Sequence, residues 1–317
     1  MHRNTYAEPV TTVDIVMRTR NRPLLLQRAL DSVSGQVFQD WHLYVVNDGA
    51  ASDPVDSAVL DRPGLAERTT VLHLADHAGR AAAGNCAIRE GRSEFVTFHD
   101  DDDTWHAQFL DRTVAHLAHS DDVGVSVCAE AVHEEQIGQR FVESGREPLH
   151  PPMQEPTYFD ELRFNRAPLS TVLVRRAFLD EIGGLDESVP MVDDWVLGLA
   201  LTRTGRYTFM EGEPLAFRHM RPQAQGDSRN SSVSHHLERI RDDRRYRDAQ
   251  VRAFVDQHGA GSLLYLAKYI DERAHDIHAR LERIEQQQNE ILVMLRDIVG
   301  PPSSAQRMRG LVTRIRG

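Results

Sequence analysis

Short apolar runs alternate with amphipathic segments along the first hundred residues of the chain. Each run ends at a polar or glycine-containing turn, and the segments between them carry leucine or alanine at helical spacing. The predicted strands are 13–17, 43–46, 71–74 and 95–98, and the predicted helices are 23–33 and 79–90. Strands that alternate with helices of about ten residues predict an α/β fold with a mostly parallel sheet and helices on both faces.

A second block continues this alternation less regularly, from residue 124 to about residue 220. Its predicted strands are 124–128, 171–174 and 207–210, and its predicted helices are 176–182 and 194–204. The stretch that follows, 221–234, is rich in Gln, Ser, Asn and Gly and predicts a mobile loop. Beyond this loop the chain is highly charged and helix-prone.

The helix-prone part carries a heptad repeat. Leu263 begins a series of mostly apolar residues spaced alternately by four and three, and Gly300-Pro301-Pro302 ends it. Isoleucine fills every later d position, whereas the a positions hold alanine, leucine and Gln288. Isoleucine at d with leucine at a favours more than two strands. The pattern predicts a coiled coil that makes a homo-oligomer; a single long helix lying on the sheet domain is the alternative.

The last residues, 301–317, form a basic tail. They contain four arginines and no acids, and Met308, Leu311, Val312 and Ile315 recur at helical spacing. A basic amphipathic segment of this kind is typical of contact with an anionic membrane surface, and a solvated terminus is the alternative.

Composition and charge exclude several classes of protein. The net charge of -11 argues against a nucleic-acid partner, because phosphate contacts need clustered basic residues. Cys86 and Cys128 are too few and too far apart for a disulfide framework, so we expect reduced thiols in the cytoplasm. Neither a signal peptide nor an apolar span of about 18 residues is present. We expect a cytoplasmic protein that is at most peripheral at the inner face of the cell membrane.

Four consecutive aspartates, 100–103, directly follow the predicted strand 95–98. In an open α/β sheet, ligands bind beyond the carboxyl ends of the strands, where this cluster would lie. Adjacent carboxylates repel one another unless a cation neutralises them, and Mg²⁺ or Mn²⁺ shares such oxygen ligands with phosphate groups. A solvated acidic turn is the alternative, but the preceding strand and the following Trp105 favour a metal–diphosphate site.

Two other carboxylate positions fit the same edge of the sheet. Asp48 follows the strand 43–46 in an Asn-Asp-Gly turn, where it would accept hydrogen bonds from a ribose or a base; an ordinary turn aspartate is the alternative. Asp193 and Asp194 lie at the start of the predicted helix 194–204. One of them is either a helix N-cap or a general base that faces the aspartate cluster.

In this order, the segments resemble the family 2 glycosyltransferases with the GT-A fold, which is Rossmann-like. The matching motifs are residues 13–23, 30–33, 47–49, 79–85, 183–187, 193–195 and 217–219. The resemblance covers about two-thirds of the chain and implies a domain over 12–220. Its implied halves are 12–105 for the nucleotide sugar and 106–220 for the acceptor. Around this domain we expect a tail at 1–11, a mobile loop at 221–236, a helical extension with heptads at 237–300 and the basic tail at 301–317.

The resemblance implies an inverting enzyme that moves a sugar from a nucleotide-diphosphate sugar to an acceptor hydroxyl. Saccharide or lipid-linked acceptors in cell-surface polysaccharide or glycolipid synthesis are implied. The implied catalytic base is Asp194, with Asp193 beside it. The implied nucleotide-binding residues are Thr19, Arg20, Arg22, Asp48, Gly79, Arg80, Asn85, Asp100 and Asp101. The implied ligands of Mn²⁺ or Mg²⁺ are Asp100, Asp102, Asp103 and His219.

The chain departs from the family pattern at several positions. Arg18 and Arg20 stand where the family often has Pro and Tyr, and Gly84 replaces an arginine for which Arg80 is a substitute. Two other functions remain open. A nucleotidyltransferase would use metal and carboxylates to attack phosphorus, and its basic Gly-rich loop is only loosely approximated by residues 18–22. A non-catalytic oligomeric scaffold that binds nucleotide would have no need for the retained carboxylates.

Overall fold

The computed structural model describes residues 12–138, 140–149, 156–166, 168–230 and 235–299. The chain forms two compact units that divide between Asp248 and Ala249, so the first unit continues past the domain end predicted at residue 220. Both the N-terminal tail 1–11 and the basic tail 301–317 lie outside the described residues.

Strands and helices alternate through the first unit. In chain order the strands are β1 (Val13–Thr19), β2 (Trp41–Asp48), β3 (Thr69–Leu74), β4 (Phe95–Asp100), β5 (Thr104–Trp105), β6 (Gly124–Val127), β7 (Ala129–Ile137), β8 (Arg140–Pro148), β9 (Val172–Arg175), β10 (Tyr207–Met210) and β11 (Ala216–Met220). The helices are α1 (Pro23–Ser34), α2 (Asp53–Leu60), α3 (Pro63–Ala66), α4 (Arg80–Glu90), α5 (Phe109–Ala118), α6 (Tyr158–Arg163), α7 (Arg176–Ile182), α8 (Asp193–Arg203), α9 (His236–His258) and α10 (Gly261–Val299). Short 3₁₀ turns lie at Leu169–Thr171 and Gly226–Ser228.

The central sheet has the strand order β10-β6-β9-β4-β1-β2-β3 within the described residues. Only β9 runs antiparallel to its neighbours, β4 and β6. Every residue of β1 is buried, and successive side chains enter opposite cores: Ile15 and Met17 pack on one face and Val16 on the other. Helices on both faces bury those cores, which confirms the predicted mostly parallel α/β sheet.

A second, smaller sheet with the order β5-β11-β7-β8 lies in the same unit. The sequence pattern did not predict β7, β8 or β11 as strands. Much of the β7–β8 hairpin is exposed, and glutamates occupy several of its positions, so it lacks the apolar run that marks a buried strand. This sheet carries residues that prove central to the site.

The second unit consists mainly of α10, a 39-residue helix. It covers most of the segment predicted to be helical with heptads. Among the described residues, no helix combines the length and the apolar character needed to span a membrane.

Candidate active site

A cavity of about 610 Å³ opens at the carboxyl ends of β1, β2 and β4. Most residues that the sequence analysis singled out separately come together in its walls. These are Thr19, Arg20, Arg22, Asp48, Gly79, Arg80, Asp100, Asp101, Asp102, Asp103 and Asp194. The three remaining predicted residues, Asn85, Asp193 and His219, lie behind the walls. The edge of the sheet expected to bind ligands is therefore the edge that carries the cavity.

The four adjacent aspartates have different surroundings. Asp100 and Asp102 keep 27% and 13% of their side chains exposed, respectively. Asp101 is buried and accepts a hydrogen bond from Thr19 Oγ1 at 2.8 Å. Asp103 is buried as well, accepting from Ser170 Oγ at 2.8 Å and from the His219 backbone N–H at 3.3 Å. Only alternate carboxylates, Asp100 and Asp102, are therefore open to a ligand.

Burial and neighbouring arginines give these carboxyl groups different pKa values. Burial raises the pKa of Asp103 to about 8, with a further rise from the charges of Asp102 and Asp100. Burial also raises the pKa of Asp101 to about 6, against the opposing charge of Arg22. For Asp100 the effect of burial is outweighed by Arg80 and Arg18, and its pKa falls to about 2. At neutral pH, Asp103 is mainly protonated and Asp100 is ionised.

Asp193 and Asp194 are adjacent in sequence but occupy different positions. Asp193 is fully buried, and Arg18 Nη1 donates to its Oδ2 at 2.8 Å. Asp194 borders the cavity instead, with its Oδ1 accepting from the Trp195 backbone N–H at 2.8 Å and its Oδ2 lying 3.7 Å from Arg239 Nη2. Of the two candidates for a general base, only Asp194 is within reach of a substrate.

Asp48 holds the loop that leads into α4. Its carboxylate accepts hydrogen bonds from the backbone N–H groups of Ala78 at 2.7 Å and Gly79 at 3.2 Å, and it lies 2.7 Å from His77 Nδ1. The next residue, Gly49, has φ of +69° and allows this loop to come close. A Cβ at this position would lie 2.4 Å from the backbone nitrogen of His77. Asp48 thus borders the cavity, but its oxygens bind this loop.

The side-chain amide of Asn85 is bound to the turn that precedes α8. Its side chain donates to the Leu185 carbonyl and to Glu187 Oε1 at 2.8 Å each, and its Oδ1 accepts from the Leu185 N–H at 2.8 Å. Gly184 packs against this amide with φ of +86°. Asn85 therefore fixes the Gly-Gly turn before α8; it does not line the cavity itself, but its partner Glu187 does. Its predicted contact with the nucleotide stays a prediction.

The family model "Glycosyl transferase family 2" matches residues 14–181, more than half of the chain. The chain belongs to glycosyl transferase family 2. The match runs from β1 to α7 and includes the aspartates 100–103.

Individual relatives of this glycosyl transferase family 2 chain are distant. The "Uncharacterized glycosyltransferase YwdF" of Bacillus subtilis is 29% identical over 189 residues, which are 58% of this chain and 65% of YwdF. The "Putative colanic acid biosynthesis glycosyl transferase WcaA" of Escherichia coli is 34% identical over 107 residues, 33% of this chain and 37% of WcaA. This chain therefore matches less than two-thirds of the length of either relative.

Solved structures share the fold of this family 2 chain. S. aureus TarS 1–349 superposes with a TM-score of 0.54 at 17% identity, covering 66% of this chain and 60% of TarS 1–349. The same protein in complex with UDP-GlcNAc gives a TM-score of 0.54 at 16% identity, over 68% and 60% of the two chains. This likeness and the strand order identify the fold as GT-A.

Glu134 and Arg221 are site residues of this family 2 chain that the sequence analysis missed. Glu134, on β7, lies 2.6 Å from Arg28 Nη1 and 3.2 Å from Arg221 Nη1. Arg221 is fully buried, and its Nη2 donates to Asp102 Oδ2 at 2.6 Å. Asn230 also reaches Asp102, at 3.4 Å. No local pattern in the sequence identifies either residue as part of the site.

The segment 221–236, predicted to be a mobile loop, has a defined position over its described residues 221–230. Arg221, Ala224 and Asn230 are all buried there. Asn230 Nδ2 donates to the His219 carbonyl at 2.7 Å, which ties the end of this segment to β11. These residues are therefore part of the site and do more than connect β11 to α9.

Both ring nitrogens of His219 have hydrogen-bond partners in the protein. Its Nδ1 lies 2.8 Å from Glu134 Oε1, and its Nε2 lies 2.9 Å from Thr104 Oγ1. Burial lowers the pKa of His219, so the ring is neutral at neutral pH; Nδ1–H then donates to Glu134 and Nε2 accepts from Thr104. Through these two contacts His219 links β5 to β7. Its predicted role as a metal ligand stays a prediction.

The oxygen donors of Asp100 and Asp102 fit a divalent ion that a diphosphate also coordinates. Within the described residues, no three His, Cys, Asp or Glu side chains are grouped to hold a metal by themselves. Mg²⁺ in nucleotide sites commonly uses one or two carboxylates, with phosphate oxygens and water completing its shell. Two partly exposed carboxylates suit that arrangement. Asp103 is less accessible, because it is buried and accepts hydrogen bonds from Ser170 and from the His219 backbone. Its role as a metal ligand stays a prediction.

Proposed function

We propose that this chain is an inverting glycosyltransferase that moves a sugar from a nucleotide-diphosphate carrier to an acceptor hydroxyl. One observation carries the proposal: Asp194 from α8 borders the same cavity as Asp100 and Asp102 from the end of β4. A base and a diphosphate site are the two parts that such a transfer requires.

The donor side is formed by β1, β4 and the start of α4. Arg20 and Arg80 border the cavity together with Asp100 and Asp102. The guanidinium groups of Arg20 and Arg80 would neutralise a diphosphate, because arginine donates bidentate hydrogen bonds to phosphate oxygens. Thr19 and Arg22 would lie near the nucleoside. TarS, whose fold is similar, has been solved with UDP and with UDP-GlcNAc, which supports a nucleotide-sugar donor.

Asp100 and Asp102 would hold Mn²⁺ or Mg²⁺ together with the diphosphate. When bound, the ion would act as a Lewis acid that stabilises the charge of the departing diphosphate. Before an ion binds, the positive charges of Arg18 and Arg80 neutralise the carboxylate of Asp100, so the charges at this site are balanced by groups next to them.

Transfer would proceed in a single displacement. The acceptor oxygen forms a bond to the anomeric carbon, the bond from that carbon to the diphosphate oxygen breaks, and the acceptor proton passes to Asp194. Attack opposite the leaving group inverts the anomeric configuration. Arg239, 3.7 Å from Asp194 Oδ2, is the cation that faces the carboxylate before the proton arrives.

We place the acceptor among saccharides or lipid-linked saccharides of the cell surface. WcaA is named for colanic acid biosynthesis, and the relative TuaG, 25% identical over 100 residues, is named "Putative teichuronic acid biosynthesis glycosyltransferase". Both names concern polysaccharides. The proposal includes self-association through the heptad segment and contact of the basic tail 301–317 with the inner face of the membrane.

The donor site can be tested by thermal shift with UDP, GDP, dTDP and CDP, each with and without Mn²⁺. We expect one nucleotide to raise the melting temperature only when Mn²⁺ is present, since a ligand bound at about 100 times its Kd adds about 2.7 kcal/mol of stability. Asp102→Asn should abolish this shift, whereas the exposed Asp121→Asn should keep it.

Two outcomes count against the proposal. A shift of equal size in Asp102→Asn would remove Asp102 from the diphosphate site. Absence of any shift with all four nucleotides in the wild-type chain would contradict the nucleotide-sugar donor itself and favour the scaffold alternative.

A further inference from the structure

We propose that α10 joins copies of this chain into a parallel, in-register bundle of more than two helices. Along its a and d positions, large apolar side chains are exposed in the single chain: Ile270 is 64% exposed, Ile277 58% and Ile291 55%. A continuous apolar seam of this length on a helix is typically covered by other helices. This inference concerns the partner and its orientation, and it holds whether or not the chain transfers a sugar.

The partner is an identical chain because the seam is complementary to itself. Flanking the apolar positions, Arg273 and Arg280 occupy g, whereas Asp271 and Glu285 occupy e. In a parallel, in-register pair, Arg280 of one chain faces Glu285 of the next. An antiparallel pair would bring the g positions together and set arginine against arginine.

Gln288 specifies the register. It is the one polar side chain in the series of a and d positions between Ile270 and Leu295. A buried amide at an a position finds a hydrogen-bond partner in the same residue of neighbouring chains only if the helices are in register. A shift of one heptad would set Gln288 among leucines and leave its amide without a partner.

The width of the apolar surface gives the number of helices. Isoleucine at d with leucine at a favours three or four strands. At both ends of the helix the apolar surface extends beyond the seam, because the flanking positions carry Leu264, Leu266, Leu292 and Met294, which are 49% to 70% exposed in the single chain. Bundles of more than two helices bury such flanking positions, whereas a two-stranded coil leaves them in water.

The outer face of α10 is suited to water. Lys268 and Glu272 lie outside the seam and its flanking positions, and they are 3.5 Å apart, one helical turn from each other. Such pairs stabilise the exposed face of a helix by a few tenths of a kcal/mol each. The charged face and the apolar seam therefore lie on different sides of the helix.

Cysteine cross-linking in the full chain tests orientation and register. Ile270→Cys at a d position should form disulfide-linked chains under mild oxidation, because the same residue of a parallel neighbour lies within disulfide reach. Ala279→Cys on the outer face is the matched control and should stay unlinked, and the wild-type chain with Cys86 and Cys128 gives the background. An antiparallel pair would separate the two copies of residue 270 by roughly 30 Å, so absence of the cross-link overturns the parallel arrangement.

Light scattering tests the number of chains. The wild-type protein should have at least three times the 35.9 kDa mass of one chain. Ile277→Asp with Ile284→Asp should reduce it to a single chain, whereas Arg283→Asp with Gln286→Asp, on the outer face, should not. A single-chain mass for the wild type overturns the proposal, and a two-chain mass overturns the inferred strand number.

Discussion

Arg18 Nη1 lies 2.8 Å from Asp193 Oδ2, and both side chains are buried. The other terminal nitrogen of Arg18 lies 3.1 Å from Asp100 Oδ1. One guanidinium thus connects the end of β1 with the aspartate run and with the first turn of α8. The second oxygen of Asp193 has no hydrogen-bond partner among the described residues, so the carboxylate depends on Arg18.

Replacing Arg18 should destabilise the fold. Arg18→Gln leaves Asp193 as a buried charge without its ion-pair partner, and removal of one member of such a pair costs about 3–5 kcal/mol. Urea unfolding measures the loss. Arg20→Gln, two residues further along the chain and exposed, is the control and should change the free energy of unfolding by less than about 0.5 kcal/mol. Similar losses in both variants would contradict the role assigned to Arg18.

The neighbours Asp193 and Asp194 should respond differently to the same substitution. Asp194→Asn removes the proposed base and should lower the transfer rate by about 10² to 10⁴-fold while nucleotide binding persists. Asp193→Asn should instead lower the melting temperature, because it breaks the buried pair with Arg18. Turnover and thermal shift on both variants check this. Near-normal turnover in Asp194→Asn would exclude it as the base.

Two adjacent glycines allow a clean steric comparison. Both have positive φ, +81° at Gly183 and +86° at Gly184, so alanine strains the backbone at either position. At Gly184 the added Cβ would also lie 2.5 Å from Asn85 Oδ1, whereas nothing lies within 4 Å at Gly183. We expect Gly184→Ala to cost about 1–3 kcal/mol more than Gly183→Ala in chemical denaturation. Equal costs would show that Asn85 does not hold this turn.

Glu161 should make stability fall as pH rises. It is buried in α6, and burial, with a smaller contribution from the charge of Asp194, raises its pKa from 4.5 to about 8. Between these values the unfolded chain releases the proton and the folded chain keeps it. Stability is therefore full below about pH 4.5 and declines until about pH 8, by on the order of 1.4 kcal/mol per pH unit.

The variant Glu161→Gln isolates this effect, because glutamine stays neutral in both states. Relative to the wild type, its free energy of unfolding should increase between pH 5.5 and pH 8. Parallel pH profiles for the two proteins would mean that Glu161 is ionised in the folded state.

The parts of the fold that could be predicted are those whose burial leaves a pattern in the sequence. β1 is buried on both faces and appears as an apolar run, while α1 places its apolar residues at helical spacing behind Pro23. The position of the aspartate run after β4 then fixed the edge of the sheet where a ligand binds. The local sequence pattern was sufficient to predict these elements, because residues close in sequence determine each of them.

The contacts that decide individual roles could not be predicted. Arg221 is 119 residues from Asp102, and Glu134 is 85 residues from His219, so neither pairing leaves a local pattern. Asn85 was assigned to the nucleotide from its place in a motif. Only the approach of the Gly-Gly turn, 100 residues later, shows that its amide is already used. The partners of His219 could not be predicted for a similar reason: Thr104 and Glu134, which contact its two ring nitrogens, are far away in sequence.

If Asp102 binds a metal ion as we propose, the guanidinium of Arg221 would compete with that ion for the carboxylate. It is fully buried and lies 2.6 Å from the carboxylate oxygen of Asp102. A metal ion that takes this oxygen must displace a charge that the protein already supplies, so its apparent affinity is lowered by the population of the closed pair. A donor diphosphate would bind the metal with its own oxygens as well, and this would offset the lowered affinity. The chain would therefore take up metal with the nucleotide rather than before it, and free metal at low concentration would leave the site unchanged.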